Sequence, residues 1–220
     1  MTAAELITDE IPPIKPNESC IKAYNWMDEF KISHLPVVKN GQYFGIISEA
    51  NVLDLEDAEA SIEKAYPILP RPYVTQDQHV YEVMRLIADN GLTVVPILSK
   101  EEKYLGSTTL LHLMRQITNS AAINQDGGVL VLSMNQNDYS LAQIAQIVEG
   151  NDAKILSSNI TSSSDSTLIE VTLKINKKDL AGIIQTFNRF DYIVSAAYQE
   201  SSYEEDMRLR YEALMKYLNI

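Results

Sequence analysis

The sequence has a single cysteine, Cys20, so no disulfide can form within the chain, and that usage fits a reducing compartment. It has three histidines, His34, His79 and His112, none with a second histidine or a cysteine three or four residues away. No glycine-rich phosphate loop of the Gly-x-x-x-x-Gly-Lys kind is present, and no nucleophile, base and orienting group stand in a recognisable pattern, so an enzyme is not expected. Basic residues are few: 18 Lys and Arg stand against 30 Asp and Glu, a net charge of −12. That balance excludes broad contact with a phosphate backbone and disfavours anionic membranes, so neither nucleic acid nor membrane is an expected partner. The longest basic stretch, Lys174-Ile175-Asn176-Lys177-Lys178, is too short to change this. No apolar run reaches transmembrane length, and the N-terminus is polar and acidic, unlike a signal peptide. These absences describe an acidic cytoplasmic protein with room for two modest domains in 220 residues.

What the sequence does contain is an internal repeat. Ser33-His34-Leu35-Pro36-Val37-Val38 is echoed by Thr93-Val94-Val95-Pro96-Ile97-Leu98, with Pro36 and Pro96 lying 60 residues apart. Gly45-Ile46-Ile47-Ser48 is echoed by Gly106-Ser107-Thr108-Thr109. Each copy begins with a helix-period run, Cys20, Tyr24 and Met27 in one and Val80, Met84 and Ile87 in the other. Repeats of this length are supersecondary units that bury their apolar faces against each other, leaving a cleft between them. A short helix is expected over 3–10, a helix from Asn17 or Ser19 to Phe30, strands at 35–38 and 43–48 around an Asn-Gly turn, and a helix over 49–65. The second copy repeats this order as helix 78–90, strands 92–98 and 103–109, and helix 110–118.

The segment 119–128 is small and polar and ends in Gly127-Gly128, so it reads as a linker. Beyond it the order is strand 129–134, helix 140–149, strands 153–162 and 167–175, helix 178–190 and strand 192–198. This βαββαβ order is the ferredoxin-like arrangement. A last helix over 203–218 carries Met207, Tyr211, Leu214 and Leu218 on one face, a stripe suited to a core, a dimer seam or a partner helix.

On the Leu-Pro-Val-Val and Gly-x-x-Ser/Thr segments, the repeat resembles a tandem pair of CBS domains. The second half resembles an ACT domain in element order, and together they are similar to bacterial acetoin-utilisation-type CBS–ACT regulators. The implied fold is α/β (α+β), a CBS-domain pair followed by a ferredoxin-like ACT-type domain. The expected domains are a first CBS motif at 1–66, a second at 67–118, the linker, the ACT-like domain at 129–199 and the C-terminal helix at 200–220. The resemblance implies a regulatory homodimer that binds an adenosine nucleotide in the CBS clefts and acts on an unknown protein target. The implied regulatory ligands are AMP, ADP, ATP or S-adenosylmethionine; no cofactor and no metal are expected. Carried over residue by residue, the cleft residues are Ile14, His34, Pro36, Ser48 and Asn51 in the first copy. In the second they are Val74, Val94, Pro96, Thr109 and His112.

The match departs from the family where the family's Gly-h-h-Thr/Ser-x-x-Asp motif (h apolar) places a carboxylate for the ribose hydroxyls. Asn51 and His112 stand there, both weaker acceptors. Glu49 adds negative charge beside the phosphate position of the first cleft. Ser48 and Thr109 are also preferred helix caps with or without a ligand. His34 serves equally as a structural residue or a ligand contact. In the ACT-like half, Tyr139 stands at the glycine of the family's ligand-binding turn and would fill the ligand space, so dimerisation is that half's expected role. A ligand-free oligomerisation scaffold is the alternative for the whole chain. A third reading is divalent-cation sensing by an acidic helix over 54–63.

Overall fold

The computed structural model describes residues 1–120, 122–162 and 167–198, and the chain divides into two units, Met1–Ile117 and Thr118–Ile220. In the first unit, α1 (Cys20–Phe30) buries Cys20, Ala23 and Met27 and ends where Lys31 turns left-handed at φ 54°. Strands β1 (His34–Lys39) and β2 (Gln42–Ser48) form an antiparallel hairpin. Asn40 and Gly41 close it with φ 54° and 77°, the conformation a two-residue hairpin turn demands. Ile14 adds a parallel bridge: its N–H donates to the Pro36 carbonyl, and its carbonyl accepts from Val38.

The second copy has the same plan. Strand β3 (Val74–Thr75) runs parallel to β4 (Val94–Leu98), which pairs antiparallel with β5 (Tyr104–Thr109). Val74 stands opposite Ile97 as Ile14 does opposite Val37, both pairs shifted by 60 residues. Helices α4 (Val80–Asn90) and α5 (Leu110–Ser120) cover this sheet through Val80, Val83, Ile87 and Leu113.

The expected helix over 49–65 is interrupted. It is realised as α2 (Glu49–Leu53) and α3 (Ile62–Ala65), with 54–61 outside any helix. The reason is tertiary. The first N–H groups of α1 have no intrahelical acceptor; Cys20 N–H donates to Ala60 and Ile21 N–H to Ala58. Those carbonyls cannot also serve a helix of their own. The acidic helix proposed over 54–63 is therefore not formed, and no cluster able to hold a metal occurs among the described residues. The N-terminal helix is likewise shorter than expected, a single 3-10 turn at Ala3–Leu6.

These two short segments change partners. Ala3 and Leu6 are fully buried in the core of the second copy, and Ile62 is fully buried in the core of the first. Matching antiparallel bridges fix the exchange: Thr2 with His79 ahead of α4, and Ser19 with Ser61 ahead of α1. The bridges equate Ser61 with Thr2 as they equate His79 with Ser19, so α3 corresponds to the Ala3–Leu6 turn and each of the two packs in the motif that follows or precedes its own copy.

The second unit has one antiparallel sheet of β6 (Gly128–Asn135), β7 (Ile155–Ser162), β8 (Leu168–Ile175) and β9 (Ile193–Tyr198), in the order β7-β8-β6-β9. With α6 (Leu141–Glu149) and α7 (Ala181–Arg189) this is the ferredoxin-like topology. Every second residue of β6 is buried, and Leu130, Leu132, Val171 and Leu173 meet Ile144, Ile183 and Phe187 in the core. Gly127-Gly128 is not a free linker. Gly128 opens β6 opposite Ile175, its N–H donating to the Lys177 carbonyl. A Cβ on Gly127 would lie 1.9 Å from the Ile175 carbonyl oxygen, so the pair is glycine because two strands meet there. The helix expected over 203–218 lies outside the described residues.

Candidate functional site

The two repeats meet at the first residues of their central strands. Ser33 N–H donates to Thr93 Oγ1 at 3.0 Å, and Thr93 N–H donates to His34 Nδ1 at 3.3 Å. Thr93 Oγ1 lies 3.1 Å from the same ring nitrogen. With Nδ1 accepting, the imidazole is the neutral Nε2–H tautomer. Burial agrees, holding the His34 pKa below the usual histidine value. His34 therefore ties the repeats together. Thr93, at Ser33's position in the second repeat, is a site residue the sequence reading passed over; the offset of 60 residues was the signal.

Facing His34 in register is Ser48, and facing Val94 is Thr109, so each hydroxyl stands at the mouth of its motif where the following helix begins. Ser48 and Asn51 form a reciprocal cap. Ser48 Oγ accepts from Asn51 N–H at 3.2 Å, while Asn51 Oδ1 accepts from Ser48 N–H at 3.0 Å and from its hydroxyl at 2.7 Å. The amide oxygen that stands at the family's carboxylate position is thus turned back onto the helix end. Thr109 Oγ1 caps α5 by accepting from His112 N–H at 3.0 Å, and His112 Nε2 lies 3.4 Å from the Gln116 amide nitrogen. Glu49 also turns inward, accepting from Ser33 Oγ at 3.0 Å.

The remaining expected cleft residues are structural neighbours of these. Ile14, Val74 and Val94 are buried in the cores, while Pro36 and Pro96 are buried opposite Ile46 and Ser107. None of the ten lines any of the described cavities. One cavity of the first motif measures about 160 Å³ and is lined by Pro16, Val37, Phe44, Ile62, Tyr66 and Leu69, among others. That is about half the lower limit of ~300 Å³ common for small-molecule sites, so a nucleobase enters only where the lining gives way. Tyr66 joins this cavity to the cap, its hydroxyl donating to the Asn51 carbonyl. Tyr66 and Leu69 escaped the sequence reading because they lie in the connector between copies; the prolines at 67 and 70 marked that segment as rigid without saying what it covers.

The two motif glycines have a packing reason. A Cβ on Gly45 would lie 2.5 Å from Leu69 Cβ and 2.7 Å from the Pro70 carbonyl oxygen; on Gly106 it would lie 2.6 Å from Ile7 Cγ2. Their φ angles, 151° and 157°, are strained for any other residue. Polar substitution distinguishes the second copy: Thr108, fully buried where the first copy has Ile47, leaves its hydroxyl without a hydrogen-bond partner among the described residues. Cys20 is buried in the first core, and burial followed by the nearby Asp57 charge raises its thiol pKa, which describes an inert thiol.

Among known proteins, an inosine-5'-monophosphate dehydrogenase of Methanocaldococcus jannaschii is 23% identical over 150 residues, 67% of this chain and 30% of the enzyme. The chain thus spans less than a third of that relative. A CBS domain pair/ACT domain protein of Thermotoga maritima superposes with a TM-score of 0.48 at 17% identity, over 54% of this chain and 98% of that one. CBSX2, solved in complex with AMP, superposes with a TM-score of 0.47 at 19% identity, over 54% of this chain and 96% of that one. No helix among the described residues is long and apolar enough to cross a membrane. The CBS-domain family model matches residues 3–57 and 63–119, starting each time at the short segment that is exchanged between the motifs. By that match, over more than half its length, the chain belongs to the CBS-domain family.

Proposed function

We propose that this chain is a cytoplasmic regulatory module that senses an adenosine-type ligand at its first CBS motif and transmits the bound state through self-association of copies. CBS domains are commonly regulatory modules for adenosine ligands. The observation that carries the reading here is the link between the apolar cavity and the helix cap. Tyr66 lines the cavity and holds the Asn51 carbonyl, so a base entering the cavity displaces Tyr66 and disturbs the cap of α2. The ribose then lies toward Ser48 and Asn51. Such coupling shifts a population only if the ligand binds the two arrangements with different affinity. The carboxylate of Glu49 beside Ser48 opposes added phosphate charge. Adenosine and S-adenosylmethionine are therefore favoured over ATP. The second unit is read as an ACT-type domain used for self-association, with Tyr139 packed against its core where the ligand turn of that family has glycine. On this reading we group the chain with the acetoin-utilisation-type regulators.

A scaffold without ligand is the second reading, and Asn51 favours it, because its oxygen is already fully engaged by Ser48. A thermal-shift series with adenosine, AMP, ADP, ATP and S-adenosylmethionine at millimolar concentration separates the two. Sensing predicts a rise in melting temperature in the order given by charge. Silence toward all five, with sedimentation still reporting a dimer, supports the scaffold.

A further inference from the structure

The sheet of the second unit packs one face against α6 and α7. Its other face is made by the residues that alternate with that core along β6 and β8. On it Val129 stands between Lys174 of β8 and Tyr198 of β9, Val131 lies beside Ala196, and Ser133 stands between Glu170 and Ile193. The half carried by β6 and β9 is therefore mostly apolar, and Ile193 and Tyr198 on it are 66% and 65% exposed. The half carried by β8 is charged, with Lys174 at the Tyr198 end and Glu170 at the Ile193 end.

We infer that this face is covered by the segment 203–218 of the same chain, as a helix running in the direction of β6. Neither ligand sensing nor self-association enters into it. The chain leaves the sheet at Tyr198, on this face and at its Val129 end. Gln199 to Ser202 make an ordinary strand-to-helix connection. Ser202 and Glu205 have the spacing of a capping box, and Met207, Tyr211, Leu214 and Leu218 share one side. As a helix the segment measures about 24 Å, close to the ~27 Å of the eight-residue strand β6. Handedness then sets the charges. β6 and β7 are parallel, and a right-handed crossover through α6 puts β8 on the left when one looks along β6 with the open face up. A helix running the same way with Met207 downward carries Glu204 and Arg208 on its left flank, about 60° and 100° round from Met207. Glu204 comes toward Lys174 and Arg208 toward Glu170, opposite signs in both places. With the helix seated, the sheet lies between two helical layers and its apolar half is withdrawn from other chains.

Amide hydrogen exchange of the full chain, compared with a synthetic peptide of residues 199–220, tests this. A helix of this length is marginal alone in water, so docking predicts that the 203–218 amides exchange roughly tenfold slower in the chain than in the peptide. The slowing is the same at low and high micromolar concentration. Val131→Lys, on the face away from the core, removes it while leaving exchange of 168–175 unchanged. Val131→Cys combined with Met207→Cys, in a chain whose own thiol is buried, gives under mild oxidation a disulfide within one chain, read as the loss of two hydrogen atoms without a dimer on a non-reducing gel. Val131→Cys with Leu209→Cys, on the far side of the helix, does not. Peptide-like exchange of 203–218, or slowing that survives Val131→Lys, overturns the inference. A disulfide formed only between chains, or slowing that grows with concentration, gives the face to a second copy and overturns it too.

Discussion

Alanine substitutions at Gly45 and Gly106 should separate two positions that the repeat makes equivalent. Both glycines carry a strained φ, worth about 1–3 kcal/mol for a residue with a side chain. They differ in what the new methyl group meets. At Gly45 it meets Leu69 Cβ at 2.5 Å and the Pro70 carbonyl oxygen at 2.7 Å, and that carbonyl is fixed by accepting from Ile46 N–H at 2.9 Å. Backbone on both sides must move, an overpacking cost of about 1–3 kcal/mol. At Gly106 the only contact under 3.0 Å is Ile7 Cγ2, a side-chain methyl, and no backbone atom lies that close. We expect a loss of about 4 kcal/mol for Gly45→Ala and about 2 kcal/mol for Gly106→Ala. Urea unfolding followed by fluorescence of Trp26, the single tryptophan, reads both, since all these residues belong to the first unit. With a slope of about 2 kcal/mol/M, the midpoint falls by about 1 M more for Gly45→Ala. Equal shifts, or a larger one for Gly106→Ala, would refute the account of the connector as a fixed lid over Gly45.

Other expectations follow from the junction and the caps. Because burial depresses the His34 pKa, the unfolded chain binds the proton more tightly; stability is full above about pH 6.5 and is lost as pH falls through the lower folded value. Thermal melts from pH 7.5 to 5 should show this decline, and His34→Gln should flatten it while lowering stability at pH 7.5. Asn51→Asp keeps the cap, since a carboxylate accepts the same two bonds at a helix start, and restores the family's ribose acceptor. Its melting temperature should be unchanged or higher, with adenosine affinity raised; a drop in both would contradict the geometry. Thr109→Val removes the bond to His112 N–H and should cost about 1 kcal/mol in the same urea assay.

The elements most legible in the sequence were those whose determinants are local. The Asn40-Gly41 turn, the strand β6 and the caps at Ser48 and Thr109 each follow from a few adjacent residues. The stretch 54–61 reads as helix only in isolation; in the fold its carbonyls serve the N-terminus of α1 some forty residues earlier. The exchange of the short segments around Leu6 and Ile62 between motifs is invisible to local pattern for the same reason, although the repeat offset implied two equivalent places for them. At the candidate site the hydroxyls and the missing carboxylates could be read directly. That Tyr66 spans cavity and cap, and that His34 contacts Thr93, are consequences of packing across distant segments.

The most direct test of the sensing account is calorimetric titration of adenosine into the wild-type chain and into Tyr66→Phe. Without its hydroxyl, the side chain no longer holds the Asn51 carbonyl and is displaced at less cost, about 1 kcal/mol. The account predicts saturable heat for the wild type and an affinity several-fold higher for Tyr66→Phe. No heat at millimolar adenosine for either protein, or weaker binding by Tyr66→Phe, would contradict it.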